Sequence, residues 1–341
     1  MEEKIKRGKD YEKTFGFTDV DERMRARLDG FIPDKIFDAH NHIYLLDQMP
    51  QGKNNFTIFG EVNTERILND QRLIFGERKF GALFVPSPAP SYSKDKCLRD
   101  RMTDWLCSEL DKCDFVFGAL YALPGDCADD LRGLIKHPRL GAFCCYAANS
   151  TRNGDTNLSD MDEYIPEAAW EIAEQRGMPI LVHMAKPDGI GDADNRRYIR
   201  TMCERYPNAK LILAHGARGF ASFNIIENAR LLADIPNLYY DISVICDSSA
   251  MAELIRQSGA ERVLWGSDYF VDRVHFKPFA YADEYGWINP TENEGLNFKM
   301  PMTVFESMFA LYQASLLLDL SREDIEKIFW RNGAGLFGIE F

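Results

Sequence analysis

The chain predicts an α/β fold: a (β/α)8 TIM barrel with an N-terminal helical arm and long loops after strands 1 and 8. Three observations carry that expectation. Eight short apolar runs recur along 341 residues, amphipathic helical patterns lie between them, and polar side chains suited to chemistry close at least four of the runs. Parallel strands covered on both faces read as nearly continuous hydrophobic runs rather than alternating ones. A doubly wound sheet is the runner-up, but it concentrates its site at one crevice, usually behind a glycine-rich phosphate turn. No Gly-x-Gly-x-x-Gly follows the first run here.

Taken in order, residues 1–33 are charged and predict a helix near Asp21–Leu28. This arm is expected to cap the barrel bottom, to pack on a neighbouring subunit or to stay solvated, and residues 34–341 form the barrel. The predicted strands are Lys35–His40, Phe80–Pro86, Phe115–Ala122, Leu140–Tyr146, Pro179–His183, Leu211–His215, Leu238–Ile242 and Val263–Asp268. Helical patterns run over Ile165–Arg176, Arg196–Tyr206, Ile225–Ala233 and Ala250–Ser258. Residues 43–76 hold Gln51-Gly-Lys-Asn-Asn, read as a loop on the catalytic face. Residues 269–301 carry Tyr269, Phe270, Arg273, His275, Lys277, Tyr285 and Trp287. Excursions from the C-terminal ends of barrel strands are where substrate selectivity resides. Ser321-Arg-Glu-Asp324 reads as a capping box opening a closing helix, Ile325–Trp330.

The formal net charge of -13 argues against non-specific nucleic-acid binding and against adhesion to anionic membranes. The N-terminal Met1-Glu-Glu-Lys-Ile-Lys-Arg lacks an apolar core, and no uncharged stretch is long enough for a membrane span, so a cytoplasmic protein is expected. Eight cysteines occur with no Cys-x-x-Cys pair, which reads as reduced, buried thiols.

The chemistry concentrates in Asp38-Ala-His40-Asn-His42. Side chains at i and i+2 of a strand share a face, so two imidazoles project together from one strand end. Of six histidines, His40, His42, His183 and His215 close apolar runs, and Asp268 closes another. Three histidines and a carboxylate around one divalent ion, with a position left for water, are the donor set of a catalytic metal.

With Ile180-Leu-Val-His183, Leu213-Ala-His215-Gly, Tyr240-Asp-Ile-Ser243, Leu264-Trp-Gly-Ser-Asp268 and the closing Ile328–Gly338 in the same order, the sequence resembles the amidohydrolase superfamily. The resemblance is to its amidohydrolase-2 branch of aminocarboxymuconate-semialdehyde decarboxylase-like proteins, and it runs from about Lys35 to Gly338. It implies that His40, His42 and His183 bind the metal. Asp268 would be the fourth protein ligand, or a base touching the metal-bound water. In mononuclear members His215 is usually not a ligand but hydrogen-bonds the nucleophilic water or the substrate oxygen. Other branches bridge a second metal with a carboxylated lysine or a glutamate at the end of strand 4; Ala142-Phe-Cys-Cys-Tyr146 offers neither, so one metal is expected. Zn2+ leads, with Mn2+ or Fe2+ as alternatives.

The resulting expectation is a mononuclear metal-dependent hydrolase in which activated water attacks a small carboxylated ester, lactone or amide. The alternative is a metal-dependent decarboxylase of an unsaturated or aromatic acid, and a non-catalytic barrel is a distant third. Asp268 and His215 are the catalytic candidates: Asp268 to accept and return a proton, His215 to donate to a developing oxyanion. Arg218 and Lys186 are candidates to pair with a substrate carboxylate, and Tyr44 and Trp265 to wall an aromatic pocket. Asp241 reads as a structural residue behind a histidine. Partners are expected to be a small anionic substrate and other copies of the chain. Phe270 stands where the family often continues with proline, so that loop is expected to leave in its own direction.

Overall fold

The strands form because their runs bury both faces, and a parallel ladder with helical crossovers is the arrangement that covers both. The computed structural model describes residues 9–49, 52–87, 95–289 and 298–339. In it, β1 (Lys35–Ile43), β2 (Lys79–Pro86), β3 (Val116–Tyr121), β4 (Leu140–Tyr146), β5 (Pro179–His183), β6 (Lys210–Leu213), β7 (Leu238–Asp241) and β8 (Val263–Leu264) pair in sequence order. Every neighbouring pair in that order is parallel. Backbone bonds carry the ring from the last strand to the first: Ala39 N–H donates to Trp265 O at 3.0 Å, Asp268 N–H to His40 O at 2.8 Å and His42 N–H to Tyr269 O at 2.9 Å. The protein is a nearly closed (β/α)8 barrel with an N-terminal helical extension.

Three departures from the sequence reading bear on the site. β6 and β8 stop short of His215 and Asp268, because both residues leave the extended region and adopt left-handed backbone (φ 53° and 58°). Residues 43–76 are not a bare loop: Asn54 and Asn63 cap helices at Asn55–Phe59 and Thr64–Phe75. The second of these buries Ile67, Ile74 and Phe75. Gln51 lies outside the described residues. Residues 269–301 contain an antiparallel hairpin, β9 (Lys277–Tyr281) and β10 (Glu284–Ile288), whose turn places Ala282 at φ 54°.

The described start of the arm is packed rather than solvated, and lies away from the barrel bottom. Its helix Lys9–Phe15 buries Tyr11 and Phe15, whose rings meet Phe59 and Phe270. Those partners follow the C-terminal ends of β1 and β8, so the arm packs on the side where the histidines end. Burying one such aromatic contributes roughly 1.5–3 kcal/mol, enough to dock a helix this short. The second arm helix, Asp19–Leu28, begins with a reciprocal Thr18–Asp21 capping box, and Asp21 also accepts from Met302 N–H at 2.7 Å.

Candidate metal centre

β1 runs three residues beyond His40, so His40 and His42 both lie in the strand and share a face. The pairing register slips between Asp38 and Asn41, where three steps on β1 match two on β2. Such a bulge re-aims side chains next to a site. Asp38, wholly buried, fixes the irregular segment. It accepts from His40 N–H (3.1 Å), Asn41 Nδ2 (2.8 Å), Ser267 N–H (2.9 Å) and Ser267 Oγ (2.5 Å), tying the β1 end to the segment that carries Asp268. Burial pushes the Asp38 carboxyl up to about 6 despite those donors.

His40, His42 and His183 converge. His40 Nε2 lies 3.2 Å from His42 Nε2 and 3.1 Å from His183 Nε2. Asp268 Oδ1 is 3.1 Å from His42 Nε2 and 3.6 Å from His40 Nε2. Two overlapping groups have ligand atoms spaced for one ion: His40, His42 and His183, and His40, His215 and Asp268.

The opposite ring nitrogens decide what those Nε2 atoms present. His40 Nδ1 donates to Asp241 Oδ2 at 2.7 Å, and His42 Nδ1 faces the Val85 carbonyl at 3.2 Å, which can only accept. When both rings are neutral with their protons on Nδ1, two Nε2 lone pairs face each other, an arrangement relieved by a cation between them or, in the metal-free protein, by a second proton on His40. The donor set therefore fits a single divalent cation, and Asp241 supports it in the way carboxylates orient metal-binding histidines. Burial alone would depress the His40 imidazole, but the Asp241 charge and hydrogen bond outweigh it and raise its pKa above the ordinary value. Burial, reinforced by the neighbouring imidazoles, holds His183 well below it. Burial would raise Asp268, but His215, His42 and His40 together hold it below the usual carboxylate range.

His215 is oriented from behind. Its Nδ1 is 3.3 Å from Ser243 O and 2.9 Å from Ser243 Oγ, and that hydroxyl donates to Asp241 Oδ2 at 2.7 Å. The carbonyl requires the His215 proton on Nδ1, so in the neutral ring Nε2 is an acceptor. Burial lowers the His215 pKa, which favours that neutral form. His215, Gly216, Ala217 and Arg218 all have left-handed backbone, as do Asp268 and Lys186. Non-glycine residues held there cost about 1–3 kcal/mol each, and such strain gathers at functional sites.

Of the other candidates, Arg218 follows His215 around that left-handed turn, while Lys186 and Tyr44 make no contact with the imidazoles among the described residues. Lys186 Nζ is paired with Asp160 (2.7 Å) and Asp192 (3.0 Å). Tyr44 is buried against Phe56 and Phe270, its hydroxyl without a partner. Trp265 packs on Phe75 and Phe329. Arg273 pairs with Asp272 and Gln71 inside the protein, and Lys277 pairs with Glu306. Cys144 and Cys145 are free and buried, and burial pushes the Cys144 thiol up to about 12, which disfavours the thiolate.

Sequence reading missed Ser243, Gly266 and Tyr146. The first two lay within quoted motifs and carried no signal of their own. A Cβ on Gly266 would collide with Asp241 Oδ1 and press on the His40 Cβ, so only glycine lets this segment pass. Tyr146 closes β4 and lays its ring on His183, centroids 4.2 Å apart.

A model of the amidohydrolase family matches residues 38–339. The chain belongs to the amidohydrolase family, in its amidohydrolase-2 branch. No curated protein matches this amidohydrolase by sequence. Among solved structures it resembles 5-carboxyvanillate decarboxylase from Novosphingobium aromaticivorans, complexed with manganese and 4-hydroxy-3-methoxy-5-nitrobenzoic acid. That match has 13% identity and TM-score 0.59 over 89% of this chain and 96% of that one. It also resembles 2,6-dihydroxybenzoate decarboxylase from Rhizobium (13%, 0.57, 89% and 98%) and an amidohydrolase from Burkholderia multivorans with bound HEPES (12%, 0.59, 90% and 100%). At these identities the likeness is one of fold. Among the described residues, no helix is long and apolar enough to cross a membrane.

Proposed function

We propose that this amidohydrolase is a metal-dependent carboxy-lyase that removes carbon dioxide from an aromatic or unsaturated carboxylic acid. The observation that carries the reading is the convergence of three imidazole Nε2 atoms and Asp268, with, nearby, a guanidinium that no carboxylate among the described residues neutralises. The names of two similar structures support it, since both are decarboxylases of hydroxylated benzoic acids. His40, His42 and His183 would hold one divalent ion, with Asp268 as fourth ligand. Three imidazoles and a carboxylate suit zinc, and the manganese of the carboxyvanillate enzyme makes that ion the first to test. When bound, the cation supplies positive charge that polarises a substrate oxygen.

The residues do the rest. Arg218 receives the substrate carboxylate, by a bidentate pair where geometry allows. Decarboxylation replaces a carbon–carboxylate bond with a carbon–hydrogen bond, so one proton must reach the carbon while the bond's electron pair stays on it and carbon dioxide leaves. Asp268, held as a carboxylate by the imidazoles, accepts a proton from a substrate hydroxyl and returns it to that carbon. His215, with its proton on Nδ1, presents Nε2 as a second proton acceptor beside Asp268, not as the donor the sequence predicts. Lys186, already neutralised by Asp160 and Asp192, is a weaker anchor than Arg218, and Tyr44 packs against Phe56 and Phe270 rather than on the imidazoles.

Hydrolysis of a carboxylated ester, lactone or amide is the second reading, favoured by the family description and by the open proton-accepting role of Asp268. Incubating manganese- and zinc-loaded protein with a panel of hydroxybenzoates, trapping carbon dioxide, and repeating with lactones separates the two. Lactone opening without gas release would replace the decarboxylase reading.

A further inference from the structure

Among the described residues, the hairpin after β8 meets Arg218 through one hydrogen bond. Arg218 Nη2 donates to Tyr285 Oη at 2.9 Å, and the guanidinium carbon lies 5.3 Å from the centre of the Phe220 ring. Phe220 packs in turn on Tyr285 (5.4 Å) and Trp287 (5.3 Å), and its centroid is 6.2 Å from that of His215. Phe276 completes the cluster against Trp287. The hairpin is thus anchored by tilted and edge-on ring contacts, and the Tyr285 hydroxyl is the polar atom of that cluster that meets Arg218.

The guanidinium it holds has a donor to spare. Arg218 Nε is buried without a partner, and among the described residues no carboxylate pairs with this side chain. Lys186, by contrast, has three. A partly buried cation with an unused donor carries a desolvation cost that a ligand anion would offset. The Arg218 charge also reaches Tyr146, whose ring lies over His183. Tyr146 and Phe220 therefore offer flat aromatic surfaces next to the histidines and the arginine, a setting for a planar acid.

We propose that Tyr285 is a specificity-determining residue: by fixing the Arg218 guanidinium it makes the site select planar aromatic carboxylates over their uncharged analogues. The inference rests on the carboxylic-acid reading above and adds the residue that enforces it, from a segment outside the eight barrel strands. Tyr285 acts through Arg218 and so is a positioning residue. Removing its hydroxyl frees the guanidinium to rotate without removing its charge.

The test is calorimetric titration of manganese-loaded full-length protein with salicylate and with salicylamide, which share a ring and hydroxyl and differ in charge. Wild type is expected to prefer salicylate by at least about tenfold, as for a hydrogen bond to a charged group. Tyr285→Phe should weaken salicylate about 5- to 10-fold, leave salicylamide unchanged and keep the wild-type thermal midpoint. Arg218→Gln should abolish the preference. A wild type with no preference, or a Tyr285→Phe protein that loses both ligands equally or neither, overturns the assignment. Its fate is separable from that of the decarboxylase reading. Selective salicylate binding without carbon dioxide release from any hydroxybenzoate would sink the reaction and leave Tyr285 in place. Gas release with an unaltered KM in Tyr285→Phe would do the reverse.

Discussion

Replacing Asp241 with Asn should cost metal affinity without touching a proposed ligand. Asp241 is wholly buried and surrounded by donors: His40 Nδ1 (2.7 Å), Ser243 Oγ (2.7 Å) and His215 N–H (3.3 Å) at Oδ2, and Ser243 N–H (2.8 Å) at Oδ1. A carboxylate accepts from all four. An amide puts an NH2 group in place of one oxygen, so in either orientation an N–H faces another N–H. If the amide oxygen keeps His40, the buried Ser243 N–H is left unsatisfied, at about 1–3 kcal/mol. If the amide nitrogen faces His40, the ring must move its proton to Nε2 and lose the lone pair the metal needs. Either route predicts a fall of roughly 10–100-fold in metal affinity, the range found when a carboxylate behind a metal-binding histidine is lost. A chelator-competition titration with manganese or zinc on wild type and Asp241→Asn measures it directly, with a thermal melt of the metal-free proteins alongside. Affinity within twofold of wild type would refute the argument that Asp241 sets the His40 tautomer.

Other consequences can be checked on the same protein. His40→Asn should purify nearly free of metal while remaining folded, because the barrel closes through backbone bonds; elemental mass spectrometry showing full occupancy would remove His40 from the ligand set. His215→Asn should keep its metal and lose about 10²–10³ in turnover, as for a lost proton acceptor; purification without metal would make His215 a ligand. Gly266→Ala should lower the thermal midpoint and the metal content together, since the added methyl pushes Asp241 away from His40; a normal metal content would show that the segment yields. In the metal-free protein the signs of two linkages differ. The His40 value is raised, so its contribution is full below the ordinary histidine pKa of about 6.5 and is lost as pH rises through the raised value. The Asp241 value is lowered because the opposing effect of burial is outweighed by His40, so its contribution is present above about 3.9 and is lost as pH falls through the lowered value. Denaturant melts should therefore show a smaller stability gap between wild type and His40→Asn at pH 9 than at pH 6, and an unchanged gap would refute the His40–Asp241 coupling.

The sequence by itself determined the barrel and the strand ends on which the candidate residues stand. Eight apolar runs can be read as parallel strands because each must be covered on both faces, and a residue at the end of a run lies at one end of the barrel whatever the helices do. His40, His42, His183, His215 and Asp268 were legible on that ground. Tertiary structure decided everything that depends on a neighbour distant in sequence. That Ser243 and Asp241 set the protons on His215 and His40 follows from β7 lying beside β6 and near β1, with partners some 26 to 203 positions apart in sequence. That Lys186 is neutralised and Arg218 has no carboxylate among the described residues is a matter of which acidic side chains fold beside them, and the composition supplies many for either. Tyr285 sat in a segment with no periodicity to mark it as a hairpin, and its hydrogen bond to Arg218 exists because aromatic packing on Phe220 brings that segment back over the site. Strand ends are fixed by local pattern. The charge and proton state of what stands on them are fixed by packing.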